Sequence, residues 1–309
     1  MARPSQRERI EGALYGLLVG DALGVPYEFH AAAELPPRAA IEMVPPDGFR
    51  RAHAGVQPGT WSDDGAHALC LLASLLHAGA IDLDDLGRRL VNWYEHGYLA
   101  VDFEVFDVGV QTQRALAALR SGVPAAQAGP SGERDNGNGS LMRVLALALW
   151  HRGSDAELVR DAESQSLVTH GHRRARLCCA LYCLWVRRTL AGVDDPWRDA
   201  VASLRSIVGD DAEAAHELDS AIRPEQAAHG NGSGYVVDSL HSVRLATLAG
   251  DYEAVVKAAI ALGDDTDTTA AIAGGVAGAR DGVQAIPQRW MSALRGRDLV
   301  ALLLDRLLG

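Results

Sequence analysis

The sequence predicts an all-α fold, on three observations. Apolar residues recur at i, i+3, i+4 and i+7 along nearly the whole chain. No stretch sustains the period-two alternation of a half-buried strand. The connections between periodic segments are rich in Gly, Pro and Asp. Ala66, Leu69, Cys70, Ala73 and Leu76 share one helical face, as do Cys178, Leu181, Leu184 and Trp185, and Leu299, Val300, Leu303, Leu304, Leu307 and Leu308.

Taken in order, the expected helices are 6–20, 63–79, 83–96, 108–121, 140–152, 155–165, 172–190, 196–208, 211–221, 235–248, 251–262, 267–279, 288–294 and 296–308. The first carries Gly12, Gly16 and Gly20 at helical spacing. Glycine costs about 1 kcal/mol in a helix interior, so a recurrent stripe needs a packing reason, and close helix–helix approach supplies it. The second begins after Ser62, a good N-cap, with Asp63 and Asp64 against the positive end of the helix dipole. The helix at 172–190 holds Cys178, Cys179 and Cys183 as small core residues. The helix at 267–279 is built from small residues. Two long irregular stretches interrupt this series: 30–61, with five prolines, and 122–139, with the run Asp135-Asn136-Gly137-Asn138-Gly139. Loops of that length in a compact helical protein are functional or disordered. With no internal repeat and no linker-like segment, one domain is expected over 1–309.

Composition narrows the function classes. The 309 residues carry 29 basic and 40 acidic side chains, a formal net charge of −11, and Lys257 is the lone lysine. That balance argues against a general nucleic-acid binder, which needs a basic face for phosphates. Four cysteines without a CxxC pair make no disulfide framework and fit a reducing cytoplasm. The N-terminus resembles a charged n-region before an apolar run, but Glu8 and Glu11 interrupt it and Asp21 closes it. The run is also far short of the ~20 residues a membrane helix needs. A cytoplasmic monomer without membrane contact is expected.

Two segments concentrate chemistry. Gly59-Thr60-Trp61-Ser62-Asp63-Asp64-Gly65 and Gly263-Asp264-Asp265-Thr266-Asp267-Thr268-Thr269 each place hydroxyls and carboxylates at a helix start. Capping explains part of the first. It explains less of the second, where three carboxylates fall within four residues and no Arg or Lys lies between Lys257 and Arg280. Facing one another, the two segments would surround one space with oxygen ligands suited to Mg²⁺ or Mn²⁺. Two metals roughly 3.5–4 Å apart would be a natural stoichiometry. Asp21 and Glu28 follow the first helix and could enter such a site. The loop Asn136-Gly137-Asn138-Gly139-Ser140 offers backbone N–H groups to an anion such as a diphosphate. It lacks the lysine of a P-loop.

Together these segments resemble the ADP-ribosylglycohydrolase family, in the family's order from Gly12 to about Gly278. The resemblance implies an all-α protein binding two divalent cations, Mg²⁺ or Mn²⁺. It matches Ser62, Asp63 and Asp64 to one ligand triplet, and Asp265, Asp267 and Thr268 to the other. Glu28 matches an acid that closes over the site in some members, and Asp107 an acid proposed for catalysis in others; the resemblance implies that one or the other acts as acid or base. Asn138, Gly139 and Ser140 match a loop lining the ADP-ribose diphosphate. Thr169-His170 matches a Thr-His pair near the substrate ribose, and Tyr235 an aromatic position near the adenosine. Gly65 departs from the family's usual threonine, and His172 is read as a helix-start residue. His53, His67, His77 and His96 show no metal-ligand spacing and are read as structural.

The activity so implied is metal-dependent hydrolysis of the glycosidic bond between ADP-ribose and an acceptor, with ADP-ribosyl-arginine on protein as the first expectation. Serine-linked or small ADP-ribose conjugates, and a non-catalytic ADP-ribose-binding or structural member, are the alternatives. A prenyl-diphosphate enzyme would set DDxxD within a helix, and position 268 here is Thr. A helical metal phosphohydrolase would want a His-Asp dipeptide, which this chain lacks.

Overall fold

The computed structural model describes residues 3–309; the first two residues of the N-terminal run read above lie outside it. Among the described residues there are fifteen α-helices and no strand beyond two isolated bridges. They are α1 (Gln6–Gly24), α2 (Asp63–Ala78), α3 (Leu83–His96), α4 (Val110–Arg120), α5 (Ala125–Ala128), α6 (Leu145–Trp150), α7 (Asp155–Ser166), α8 (Arg173–Ala191), α9 (Pro196–Val208), α10 (Ala212–Glu217), α11 (Val236–Ala246), α12 (Tyr252–Ile260), α13 (Thr266–Asp281), α14 (Gln288–Ala293) and α15 (Arg297–Leu308). The all-α expectation holds. No helix among the described residues is long and apolar enough to cross a membrane. All four cysteines are free and buried.

The centre of the fold is the pair α1 and α13. Their glycines interlock. A Cβ on Gly16 would strike the Gly274 carbonyl oxygen, one on Gly274 would strike that of Gly16, and Gly12 and Gly278 block one another in the same way. The backbones therefore touch, as the glycine stripe required. Tyr252 of α12 seals the seam by donating its hydroxyl to the Gly16 carbonyl at 2.8 Å.

Three boundaries differ from expectation, each for a local reason. α1 runs past Gly20 to Gly24. Gly20 is not a C-cap; it is a contact residue, where a Cβ would meet the backbone of Ala270. The helix expected from 140 begins at Leu145, because Leu141 and Met142 both donate to the Asn138 carbonyl in a turn. The helix at 211–221 ends at Glu217 and continues as a single π-helical turn over Leu218–Ile222. The 30–61 stretch contains only two short 3₁₀ turns.

Candidate active site

The last turn of α1 organises the start of α2. Asp21, fully buried, accepts from the backbone N–H of Ser62 at 2.9 Å and of Gly65 at 2.7 Å. An acid from another helix thus satisfies amides that a helix N-terminus leaves unpaired. Asp21 lies within α1 and does not follow it. Asp63 and Asp64 are released from capping by this arrangement. Ser62 is the N-cap, accepting from the Asp64 N–H, and its hydroxyl donates to Asp64 Oδ2 at 3.1 Å. The threonine expected from the resemblance would not fit at Gly65 without rearrangement, since a Cβ there would stand 2.8 Å from both Leu18 Cδ2 and Trp61 Cγ.

The start of α13 faces this from the other side. Thr268 Oγ1 donates to Asp64 Oδ2 at 3.2 Å, across 204 positions of sequence. The Thr268 N–H donates to Asp267 Oδ1 at 2.8 Å. Asp265 Oδ2 accepts from Asn138 Nδ2 at 2.7 Å, and Asn138 also donates to Ser239 Oγ at 2.9 Å.

A backbone pairing delivers Glu28. Phe29 donates to the Asp264 carbonyl and Asp264 to that of His30, both at 2.8 Å, and Ala31 bridges Gly263. Gly263 permits this at φ +83°, where a Cβ would lie 2.6 Å from the Ala32 nitrogen. Phe29, Asp107 and Asp264 all hold positive φ, at +63°, +51° and +55°. Such backbone strain persists only where surrounding structure imposes it, and it clusters at functional sites.

The carboxylates converge. Ligand atoms of Asp21, Asp64 and Asp267 lie within 4.8 Å of one another, and so do those of Glu28, Asp265 and Asp267. A third such group joins Glu28, His53 and Asp107, with His53 Nε2 at 2.7 Å from Glu28 Oε2. Burial, then the charge of neighbouring carboxylates, holds Asp63, Asp64 and Asp267 well above their ordinary pKa. Burial first, then Asp107, Asp265, Asp64 and Asp21, pushes Glu28 up to about 10. Burial and Asp265 bring Asp107 to about 6. Two carboxylate oxygens, Asp64 Oδ1 and Asp267 Oδ2, are buried with no hydrogen-bond partner. Buried carboxylate oxygens without a hydrogen-bond partner, set beside other acids, are free to bind a cation, so the donor set fits a hard, oxygen-loving metal.

The acids open onto a cavity of about 810 Å³. Of the residues singled out in the sequence, Glu28, Asp63, Asp107, Asn138, Gly139, His170, Tyr235, Asp265 and Thr268 line it. Ser62, Asp64 and Asp267 sit behind that lining in the acid cluster. Ser140 does not reach the cavity. Its hydroxyl turns inward, 2.8 Å from Ser166 Oγ and 3.4 Å from Cys179 Sγ. Tyr235 stands at the rim, 40 % exposed, with its hydroxyl accepting from Arg174 at 3.2 Å.

His172 is the N-cap of α8, accepting from the Arg174 N–H, as a helix-start residue would. His67 packs edge-on against Trp93 in the core. His53, expected to be structural, stands beside the acids. It bonds Glu28 from inside the irregular 30–61 stretch, where no spacing pattern could have revealed it. Asp21 was visible as an acid closing an apolar run, but its capping role depends on a contact 41 residues away.

The comparisons agree along the full length. The family model for ADP-ribosylglycohydrolase matches residues 2–309. The chain is 34 % identical over 293 residues to the ADP-ribosylarginine hydrolase Tri1 of Pseudomonas putida (strain GB-1), covering 92 % of this chain and 73 % of that one. It is 29 % identical over 298 residues to the ADP-ribosyl-[dinitrogen reductase] glycohydrolase of Rhodospirillum rubrum, covering 95 % and 92 %. A solved structure described as an ADP-ribosylglycohydrolase-related protein complex superposes with a TM-score of 0.76 at 31 % identity, covering 98 % of this chain and 97 % of that one. With its acid-lined cavity and its all-α frame, this chain belongs to the ADP-ribosylglycohydrolase family, a family of hydrolases.

Proposed function

We propose that the protein removes ADP-ribose from modified arginine on protein, using two divalent cations, Mg²⁺ or Mn²⁺. The carrying observation is the pair of partnerless buried oxygens, Asp64 Oδ1 and Asp267 Oδ2, within a cluster of acids. Ser62, Asp63, Asp64, Asp265, Asp267 and Thr268 would hold the ions. Bound there, divalent cations supply positive charge for ribose hydroxyls and diphosphate and make water more acidic. The arginine linkage is supported by the relatives named as ADP-ribosylarginine hydrolases.

The chain's own residues do the rest. Cleavage at an anomeric carbon passes through an oxocarbenium-like state, which nearby carboxylates stabilise. Glu28 and Asp107 face the cavity and share the acid and base work. They differ in constraint: Glu28 is tied to His53, whereas Asp107 has no side-chain hydrogen bond among the described residues. Asn138 orients Asp265 and, with Gly139, forms the wall for the diphosphate. Tyr235 offers its ring face to the adenosine at the rim. A cavity of about 810 Å³ falls in the range of small-molecule sites, about 300–1,000 Å³.

The test is release of ADP-ribose from arginine-linked and serine-linked peptides, each with Mg²⁺, Mn²⁺ or EDTA. We expect release from the arginine conjugate with either metal and none in EDTA. Release that persists in EDTA overturns the metal reading, and release confined to the serine conjugate overturns the arginine linkage.

A further inference from the structure

One wall of the cavity rests on a buried cation with no carboxylate partner among the described residues. Arg143 has no exposed surface. Its Nε donates to Gln165 Oε1 at 2.8 Å and its Nη2 to the Gln165 carbonyl at 2.9 Å. Its Nη1 donates to the Gly139 carbonyl at 3.1 Å and to Thr169 Oγ1 at 2.7 Å. A guanidinium withdrawn from water must be saturated with hydrogen bonds. These bonds tie it to the two segments, around Gly139 and around His170, that form the wall.

The hydrogen-bond directions then fix the histidine. A guanidinium can only donate, so Thr169 Oγ1 accepts from Arg143. The Thr169 hydroxyl has one proton to give. His170 Nδ1, at 2.8 Å, is its remaining side-chain or backbone partner, and Thr169 is fully buried from solvent. The hydroxyl therefore donates to Nδ1. In a neutral imidazole whose Nδ1 accepts, the proton sits on Nε2. Burial, and then the charge of Arg143, hold the ring's pKa down at about 3, so the ring is neutral at physiological pH. Nε2 faces the glycine loop, since a Cβ on either Gly137 or Gly139 would stand 3.3 Å from it. Both glycines line the cavity with His170.

We propose that Arg143 and Thr169 are positioning residues that lock His170 as an Nε2–H donor into the cleft, where it takes an acceptor oxygen of the ADP-ribose diphosphate or ribose. The opposite tautomer would present a lone pair to that oxygen and repel it. The identity of the oxygen rests on the ADP-ribose reading of the cleft; the tautomer does not.

The test is long-range ¹H–¹⁵N correlation on protein labelled with ¹⁵N-histidine, with and without ADP-ribose, alongside calorimetric titration of ADP-ribose. Wild type should show His170 with the proton on Nε2, and the Nε2 signal should move when ADP-ribose binds. Thr169→Val removes the hydroxyl at constant shape. It should lose the pure Nε2–H signature and bind ADP-ribose roughly tenfold more weakly, the scale of one hydrogen bond to a charged acceptor. Thr169→Ser restores the hydroxyl and should restore both. A wild-type ring protonated on Nδ1 overturns the lock, and this measurement needs no variant to fold. Undiminished affinity in a Thr169→Val protein of unchanged melting temperature overturns the role in binding. An Nε2–H ring in a wild-type protein that binds no ADP-ribose supports the lock and overturns the substrate reading instead.

Discussion

At the residue scale, the site is an arrangement of like charges whose stability depends on what is bound. Asp267 is fully buried, with one oxygen on the Thr268 N–H and the other partnerless. Neighbouring carboxylates add to the burial that raises its pKa. In the metal-free protein burial and these neighbours disfavour its charge; the reading proposed above makes it a metal ligand. Asp267→Asn should therefore leave the metal-free melting temperature equal or higher, while abolishing the stabilisation that Mg²⁺ or Mn²⁺ confers and the hydrolytic activity. Thermal melts with metal and with EDTA check this, and a metal response equal to wild type would remove Asp267 from the ligand set. Gly65 makes a second residue-scale prediction. Introducing a threonine brings a Cβ to 2.8 Å from Leu18 and Trp61 side-chain atoms. Overpacking of that kind costs roughly 1–3 kcal/mol. Gly65→Thr should lower the unfolding free energy measured in urea by that amount, and a variant as stable as wild type would show that the Trp61 pocket repacks freely.

At the element scale, the seam between α1 and α13 sets the site's geometry, because it fixes the last turn of α1 against the first turn of α13. Two effects compete in Gly16→Ala. Alanine favours the helix by about 1 kcal/mol. Against this, the new Cβ would meet the Gly274 carbonyl, which is backbone and cannot step aside as a side chain could. The steric term should win, with a net loss of roughly 1–3 kcal/mol read from chemical denaturation, and a weakened metal response because the start of α2, which Asp21 holds, moves away from Asp267. A gain in stability would mean that the helices separate at little cost. The same seam shows what was legible in advance. Periodicity located the long helices, and the glycine stripe announced a close approach. Neither could say that Gly20 is a contact and not a helix end, since a glycine four residues before Gly24 looks the same in both roles. The turn before Leu145 was hidden for a related reason: its residues are apolar and periodic, but the Asn138 carbonyl takes their amides.

At the scale of the whole molecule, the acid cluster joins segments about 200 positions apart. Both halves of the proposed metal set were visible as oxygen-rich helix starts, because their composition exceeds what capping needs. His53, the capping by Asp21, and the chain from Arg143 through Thr169 to His170 were not, because each is a contact between a residue of ordinary type and one far away in sequence. This division has a physical consequence. A cation bound by ligands from both the α2 and α13 starts can bind only when both are folded and facing, so its binding energy appears as stability of the assembled state. At a metal concentration one hundred times the dissociation constant, that stabilisation is about 2.7 kcal/mol. Saturating Mg²⁺ or Mn²⁺ should therefore slow amide hydrogen exchange at Ser62–Gly65 and at Thr266–Thr269 together, with both effects reversed by EDTA. The two segments are already linked by the bond from Thr268 Oγ1 to Asp64 Oδ2. Some coupled protection is thus expected without metal, and the added ion should deepen it on both sides in parallel. Protection that deepened on one segment alone would mean a cation held by a single helix start, and the shared site would have to be abandoned.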